Sequence, residues 1–252
     1  MKDAFRLVLS NFEEKIIAFN ELVNGHIVQT DDAVVSNTYM NTDTFNIVLS
    51  KSNAPHKFSQ LTSTLIEKEL PFSVWIAEEF MNEEWLRAVQ SAGLHEGERN
   101  KMMILEERKR RGESRKEQLQ IKKVNNKETL EHYAQIFQSL FGGSSEQEAL
   151  QTYFEAVRIE KMSENVQMFV GYLKEEPIAT SLLIEGDESY GIYDVMTKES
   201  FRGRGFGSEM FQYIVALTEG SSKPIVLQAS EDGKNIYKRL GFIEAGEIIV
   251  FE

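Results

Sequence analysis

Asp194-Val195-Met196-Thr197-Lys198-Glu199-Ser200-Phe201-Arg202-Gly203-Arg204-Gly205-Phe206-Gly207-Ser208 is the stretch from which the rest of the sequence can be read. It leaves a strand-like segment, Tyr190–Thr197, passes three glycines at alternate positions, and enters an amphipathic segment, Gly207–Thr218. In that segment Met210, Phe211, Ile214, Val215 and Leu217 recur at helical spacing. Glycines let backbone N–H groups turn inward without Cβ clashes. A helix start adds unpaired N–H donors and the positive end of the helix dipole. Such a junction suits an anion, and a pyrophosphate in particular. Arg202 and Arg204 add permanent positive charge with forked donors. The competing reading is a tight strand-to-helix turn whose arginines merely face solvent. The glycine spacing is GxGxG, so the GxGxxG of a dinucleotide site and the GxxxxGK[ST] of a nucleoside triphosphatase are both missing.

Outward from this loop, the alternation predicts strands at Val166–Leu173 and Pro177–Ile184 around the turn Lys174–Glu176. Gln118–Val124 alternates like an edge strand. Asn126, Thr129 or both suit the cap of a helix running to Leu140, and a second helix spans Glu146–Glu160. After the loop, Pro224–Ala229 reads as a buried strand, Asp232–Leu240 as a short helix and Gly246–Phe251 as a closing strand.

Two blocks, in this order and at this distance, resemble the GNAT N-acetyltransferase superfamily. Arg202-x-x-Gly205-x-Gly207 after a strand is similar to its acyl-CoA pyrophosphate loop. Ile225–Ser230 followed by Asn235-Ile236-Tyr237-Lys238-Arg239-Leu240-Gly241-Phe242 is similar to its later strand and its N-x-x-Y-x-x-x-G-F helix. Here the asparagine stands two residues before the tyrosine instead of three. The resemblance covers about 166–252 specifically and 118–165 more loosely.

It implies acetyl-CoA as cosubstrate, no metal, and acetyl transfer to a primary amine without a covalent enzyme intermediate. By resemblance, Val195, Met196 and Thr197 would offer backbone to the pantetheine arm. Arg202, Gly203, Arg204, Gly205, Phe206, Gly207 and Ser208 would hold the pyrophosphate, and Asn235 would bond the pantetheine or a phosphate oxygen. Tyr237 matches the family tyrosine near the thioester sulfur, and the Val195 N–H is placed for the oxyanion. A backbone N–H can stabilise an oxyanion and a tyrosine hydroxyl can protonate a thiolate. Tyr237 also has a plain packing role available, one turn before a Gly-Phe stop. Asp194, Glu185, Glu188 and Glu231 lie on or beside the relevant strands as candidate bases, with ordered water as the alternative. Gln228 and Ser230 stand at the end of the later strand, where they line a cleft or simply end the strand. A non-catalytic acyl-CoA-binding or regulatory module is the rival functional class.

The first half reads as helix Phe5–Leu22, strand Tyr39–Leu49, helix Phe58–Glu69, strand Phe72–Ala77, helix Glu83–Ala92 and strand Lys101–Leu105. The last three, with Leu86–Leu94 standing where the Gly-Phe helix stands, suggest a degenerate tandem copy without a phosphate loop. Trp75 and Trp85 read as core. Residues 106–117 carry six basic and four acidic side chains and no large apolar one, which reads as a solvated linker or the exposed end of a helix, with a basic patch for phosphate or nucleic acid as the competing reading. The expected organisation is α/β: a degenerate GNAT-like domain plus linker over 1–117, and an acetyl-CoA-binding domain over 118–252. Each is expected to be a mixed, mostly antiparallel twisted sheet flanked by helices.

Composition agrees with these readings. The 252 residues carry 28 basic and 40 acidic side chains, net −12, which argues against sequence-independent nucleic-acid binding. The halves 1–117 and 118–252 carry −4 and −8. That balance leans toward a cationic acceptor or serves solubility alone. With no cysteine, disulfide frameworks, thiol nucleophiles and thiolate metal sites are excluded, and four scattered histidines give no zinc spacing. No apolar run reaches membrane-spanning length, and the N-terminus lacks a signal-peptide pattern. The expectation is a cytoplasmic monomer or homodimer acting on a small-molecule or peptide amine, with neither nucleic acid nor membrane as partner.

Overall fold

The computed structural model describes residues 4–107, 118–231 and 233–252. From residue 108 on, the expected linker and its boundary at Glu117 lie outside the described residues, as does Asp232, the expected start of the last helix. The chain groups into two compact units, Met1–Ile104 with Val226–Glu252, and Leu105–Ile225.

In the first unit, helix α1 (Ala4–Leu22) buries Leu9, Phe12, Ile16 and Phe19 at helical spacing, with Phe5 and Val8 beside them, while Val23, at the same spacing, lies just past its end and is half-buried. Strands β1 (His26–Gln29) and β2 (Ala33–Asn37) form a hairpin that the alternation did not disclose. Its turn is shaped by the Thr30 hydroxyl, which accepts from the N–H groups of Asp32 and Ala33.

The strand expected over Tyr39–Leu49 is confined to β3 (Ile47–Ser50). Residues 38–46 instead form a loop in which Tyr39 is left-handed (φ 60). The Asn46 side-chain Oδ1 accepts from the Thr38 N–H and hydroxyl, while its Nδ2 donates to Met40 O and Pro71 O. Side-chain partners have replaced a strand ladder there.

Helix α2 (Phe58–Glu67), strand β4 (Ser73–Ala77), helix α3 (Glu83–Ser91) and strand β5 (Glu96–Leu105) follow, then β10 (Ile225–Ala229), α7 (Lys234–Arg239) and β11 (Ile243–Phe251). The strand order in this unit is β1-β2-β3-β4-β11-β5-β10. The β3–β4 pairing is parallel; β1–β2, β2–β3, β4–β11 and β11–β5 are antiparallel. β11 therefore lies between β4 and β5, with Ile249 opposite Ile76 and Ile243 opposite Ile104.

Both tryptophans pack. The Trp75 ring lies 4.8 Å from Phe12. Trp85 is fully buried, edge-on to Phe58, and its indole N–H donates to Ser52 O. Glu247 of β11 is nearly buried and accepts from Lys101 and from Arg99 (2.9 Å). Lys101 chiefly, then Arg99, hold its carboxyl below the usual range.

The second unit is an antiparallel meander, β6 (Gln120–Lys123), β7 (Val166–Leu173), β8 (Glu176–Glu185) and β9 (Tyr190–Thr197), with β6 at its edge. Lys174 and Glu175 are both left-handed (φ 49 and 72), as a two-residue hairpin turn requires. Helix α4 (Lys127–Gln138) starts on a capping box between Asn126 and Thr129, so both expected caps are used. Helix α5 (Ser145–Ala156) is capped by Ser144, and α6 (Phe206–Leu217) follows β9.

His132 of α4 bonds Tyr172, whereas a Cβ on neighbouring Gly171 would come within 2.7 Å of Met210 of α6. Adjacent strand residues face opposite sides, so α4 and α6 cover opposite faces of the meander. The architecture is thus mixed α/β with mostly antiparallel pairing. Among the described residues no helix is long and apolar enough to cross a membrane.

Candidate functional site

β9 ends at Thr197 and a 3-10 turn, Glu199–Phe201, leads into the glycine loop. Gly203 (φ 74) and Gly205 (φ 93) are left-handed, a backbone state costly for other residues. Gly205 is the N-cap of α6 and supplies no side chain to that helix end. The first-turn N–H groups of α6 have no intrahelical acceptor by helix geometry, so this end is open to an anion. At Gly207 the reason for glycine is proximity: a Cβ there would lie 3.3 Å from the Thr197 hydroxyl.

The two arginines are already placed. Arg202 Nε donates to Thr197 O at 3.1 Å, which ties the loop to the end of β9. The Arg204 guanidinium lies 5.4 Å from the Phe201 ring centre and 5.1 Å from that of Phe206. Both guanidinium groups are exposed, while Phe206 is buried and anchors the start of α6. The one acid in the first turn, Glu209, accepts from the N–H groups of Gln118 and Leu119 at 2.7 Å each, which draws its charge toward that segment.

Val195, Met196 and Thr197 are half-buried along the last part of β9. Pairing with β8 steps from Tyr193–Leu182 to Met196–Thr180, so Asp194 and Val195 together oppose Ser181. That is a β-bulge, and Asp194 is left-handed at φ 52. The Ser181 hydroxyl is buried there with no hydrogen-bond partner.

The structure brings Val195–Thr197 and Arg202–Ser208 together in the second unit. Asn235 and Tyr237 belong to the first. Asn235 is exposed on α7. Tyr237 is half-buried, edge-on to Phe242 at 5.9 Å, and burial pushes its hydroxyl pKa up, so it stays protonated through neutral pH. Ser230 helps start the turn into α7, its hydroxyl accepting from the Gly233 N–H at 3.2 Å. The Gln228 amide nitrogen is buried without an acceptor.

Of the four acids singled out from sequence, Glu185 accepts from the Tyr190 hydroxyl and pairs with Lys223 (3.6 Å). Glu188 is exposed, and Glu231 pairs with Lys234. Asp194 Oδ2 accepts from the buried Tyr133 hydroxyl at 2.8 Å. Sequence reasoning passed over Tyr133, because an aromatic on the apolar face of a helix reads as packing alone. Among the described residues no group of three His, Asp or Glu is placed to hold a metal ion.

Residues 164–244 match the family model described as an acetyltransferase (GNAT) domain. The match runs from just before β7 into β11, so its last part falls in the first unit. No curated protein matches the sequence. Among solved structures, a GCN5-related N-acetyltransferase from Kribbella flavida is similar at 13% identity, covering 95% of this chain and 94% of its own, with a TM-score of 0.65. A functionally unknown conserved protein from Staphylococcus epidermidis is similar at 18% identity, 91% and 94% coverage and TM-score 0.64. A GNAT-family acetyltransferase, so described from Novosphingobium aromaticivorans, is similar at 13% identity, 92% and 90% coverage and TM-score 0.56. At these identities the likeness is one of fold, and it extends over nearly the whole chain.

Proposed function

We propose that this chain, with its GNAT domain over residues 164–244, transfers an acetyl group from acetyl-CoA to a primary amine by direct attack in a ternary complex. The observation that carries the reading is the open end of α6. Two left-handed glycines shape it, no side chain of Gly205 closes it, and two exposed arginines are fixed beside it. The N–H groups of Gly203 to Ser208 are the donors for the pyrophosphate, with Arg202 and Arg204 supplying charge. The backbone of Val195, Met196 and Thr197 runs alongside the pantetheine arm as a strand would. Asn235 supplies a further bond to the pantetheine or a phosphate oxygen.

In the reaction the amine nitrogen bonds to the thioester carbon, and negative charge moves to the carbonyl oxygen, where the Val195 N–H stabilises it. Collapse of the tetrahedral species breaks the C–S bond. Tyr237 gives its proton to the leaving thiolate and regains one from solvent, a role suited to a hydroxyl that burial keeps protonated. The surplus proton on nitrogen passes to water. Much of the acceleration comes from holding the two substrates in attack geometry. The acceptor is a small-molecule or peptide amine, with a lean toward cationic compounds from the net charge of −12. The enzyme acts in the cytoplasm, as a monomer or homodimer.

Calorimetric titration with acetyl-CoA tests this. Micromolar binding is expected, weakened about tenfold by Arg202→Ala, roughly 1.4 kcal/mol. No binding at millimolar ligand overturns the reading. Tyr237→Phe is expected to cut turnover about a hundredfold at unchanged acetyl-CoA affinity. Binding without turnover on any amine would make the chain an acyl-CoA-binding module instead.

A further inference from the structure

We propose that Tyr133 and Thr180 are positioning residues that hold the Asp194–Val195 peptide so that the Val195 N–H faces the thioester oxygen; this deepens, and rests on, the acetyl-transfer reading above. The observation is a bulge in β9 that two separate elements, α4 and β8, hold. Asp194 takes a left-handed conformation in the middle of a strand (φ 52), a state that Asp tolerates better than most residues but not without cost. Its side chain is fixed from α4: the Tyr133 hydroxyl donates to Asp194 Oδ2 at 2.8 Å. Its carbonyl is fixed from β8: the Thr180 hydroxyl donates to Asp194 O at 2.9 Å.

The consequence follows from peptide planarity. The Asp194 C=O and the Val195 N–H belong to one rigid trans unit and point in opposite directions. A hydroxyl that holds the carbonyl toward β8 therefore aims the Val195 N–H the other way. The bulge takes the residue out of the regular pairing, a common device for re-aiming backbone next to a reaction centre. The Tyr133 bond secures the kink that makes this orientation available. Tyr133 is wholly buried, and burial first, then the Asp194 charge, raise its hydroxyl pKa well above the usual value. It is thus a proton donor to Asp194 throughout the working pH range. Asp194 is in this account the acceptor that locks the bulge and not the base that deprotonates the amine.

The test combines kinetics with spectroscopy on the full chain. Tyr133→Phe keeps the ring and deletes the donor. Thiol release from acetyl-CoA in water should fall roughly tenfold or more in kcat, with KM for acetyl-CoA changed less than about twofold. The carbonyl resonance of bound [1-13C]acetyl-CoA should move toward its free position as the hydrogen bond weakens. Thr180→Val, which removes the other clamp, should do the same and decides the matter should Tyr133→Phe not fold.

Asp194→Asn keeps an acceptor and tolerates the left-handed backbone, so it should retain a third or more of the rate. Asp194→Ala should not. Wild-type kcat and carbonyl shift in both clamp variants would overturn the proposal. So would an Asp194→Asn enzyme as slow as Asp194→Ala, because the negative charge itself would then be required. Should the wild type not bind acetyl-CoA, the acetyl-transfer reading fails. The clamp is then judged on the ligand-free protein by the Val195 amide resonance. A shift in Tyr133→Phe supports the clamp; an unmoved resonance overturns it.

Discussion

Each unit contains a strand that passes through a 3-10 turn into a helix, and the two junctions end differently. In the first unit β4 leads through Glu78–Phe80 to α3, whose N-cap Asn82 accepts from the N–H groups of Glu84 and Trp85. Two glutamates, Glu83 and Glu84, occupy the first turn of α3. In the second unit β9 leads through Glu199–Phe201 to α6, whose N-cap is Gly205. Its only first-turn acid, Glu209, is bonded to the backbone at 118 and 119. At α3 two of the orphan donors are satisfied from within, whereas at α6 the N-cap supplies no side-chain acceptor. The residue at the N-cap therefore separates a helix start closed by its own side chain from one that is not.

The largest expected effect comes from making α6 resemble α3. Gly205→Asp puts an anion and a Cβ where the glycine is left-handed. Acetyl-CoA binding should weaken at least a hundredfold, about 3 kcal/mol, as calorimetry will read. Opening the other junction is the converse. Asn82→Ala removes the α3 cap and should cost about 1 kcal/mol in urea unfolding, leaving acetyl-CoA affinity unchanged. A loss of affinity there would break the contrast between the two junctions.

Acid unfolding sharpens it further. The carboxyls of Glu96, Glu244 and Glu247, all in the first unit, are held below their usual 4.5 chiefly by Arg99, Lys238 and Lys101 respectively. A depressed carboxyl contributes stability above its unfolded value, lost as pH falls through the folded one. Stability should therefore drop below about pH 4.5, and the drop should be shallower in Glu247→Gln. The smallest effect is at Ser181. Its buried hydroxyl has no partner, so Ser181→Ala should be neutral or stabilising by a few tenths of a kcal/mol.

Local signals made much of this molecule legible. The glycine and arginine positions of 202–208, the caps at Asn126 and Thr129, and the apolar stripe of α1 all act over a few residues. What could not be read acts over distance or through polar substitution. The β1–β2 hairpin depends on a threonine hydroxyl in its turn, and residues 38–46 leave the strand pattern because Asn46 supplies the partners. The bulge at Asp194 was invisible because nothing in Tyr-Asp-Val-Met marks a left-handed residue; Tyr133, 61 residues away, meets it only in the folded chain. Where β11 pairs is likewise not written in its own alternation, which any antiparallel neighbour would satisfy.

The place of β11 has a consequence for how the chain is made. It lies between β4 and β5, both synthesised more than a hundred residues earlier. Until residues 243–251 leave the ribosome, those two strands present edges with no partner between them. The second unit, whose four strands are sequential neighbours, can close as it emerges. Completion of the earlier-made sheet must wait for a non-local pairing, the slow and aggregation-exposed kind of step. The unit begun first is thus the one that stays incomplete until β11 has been made.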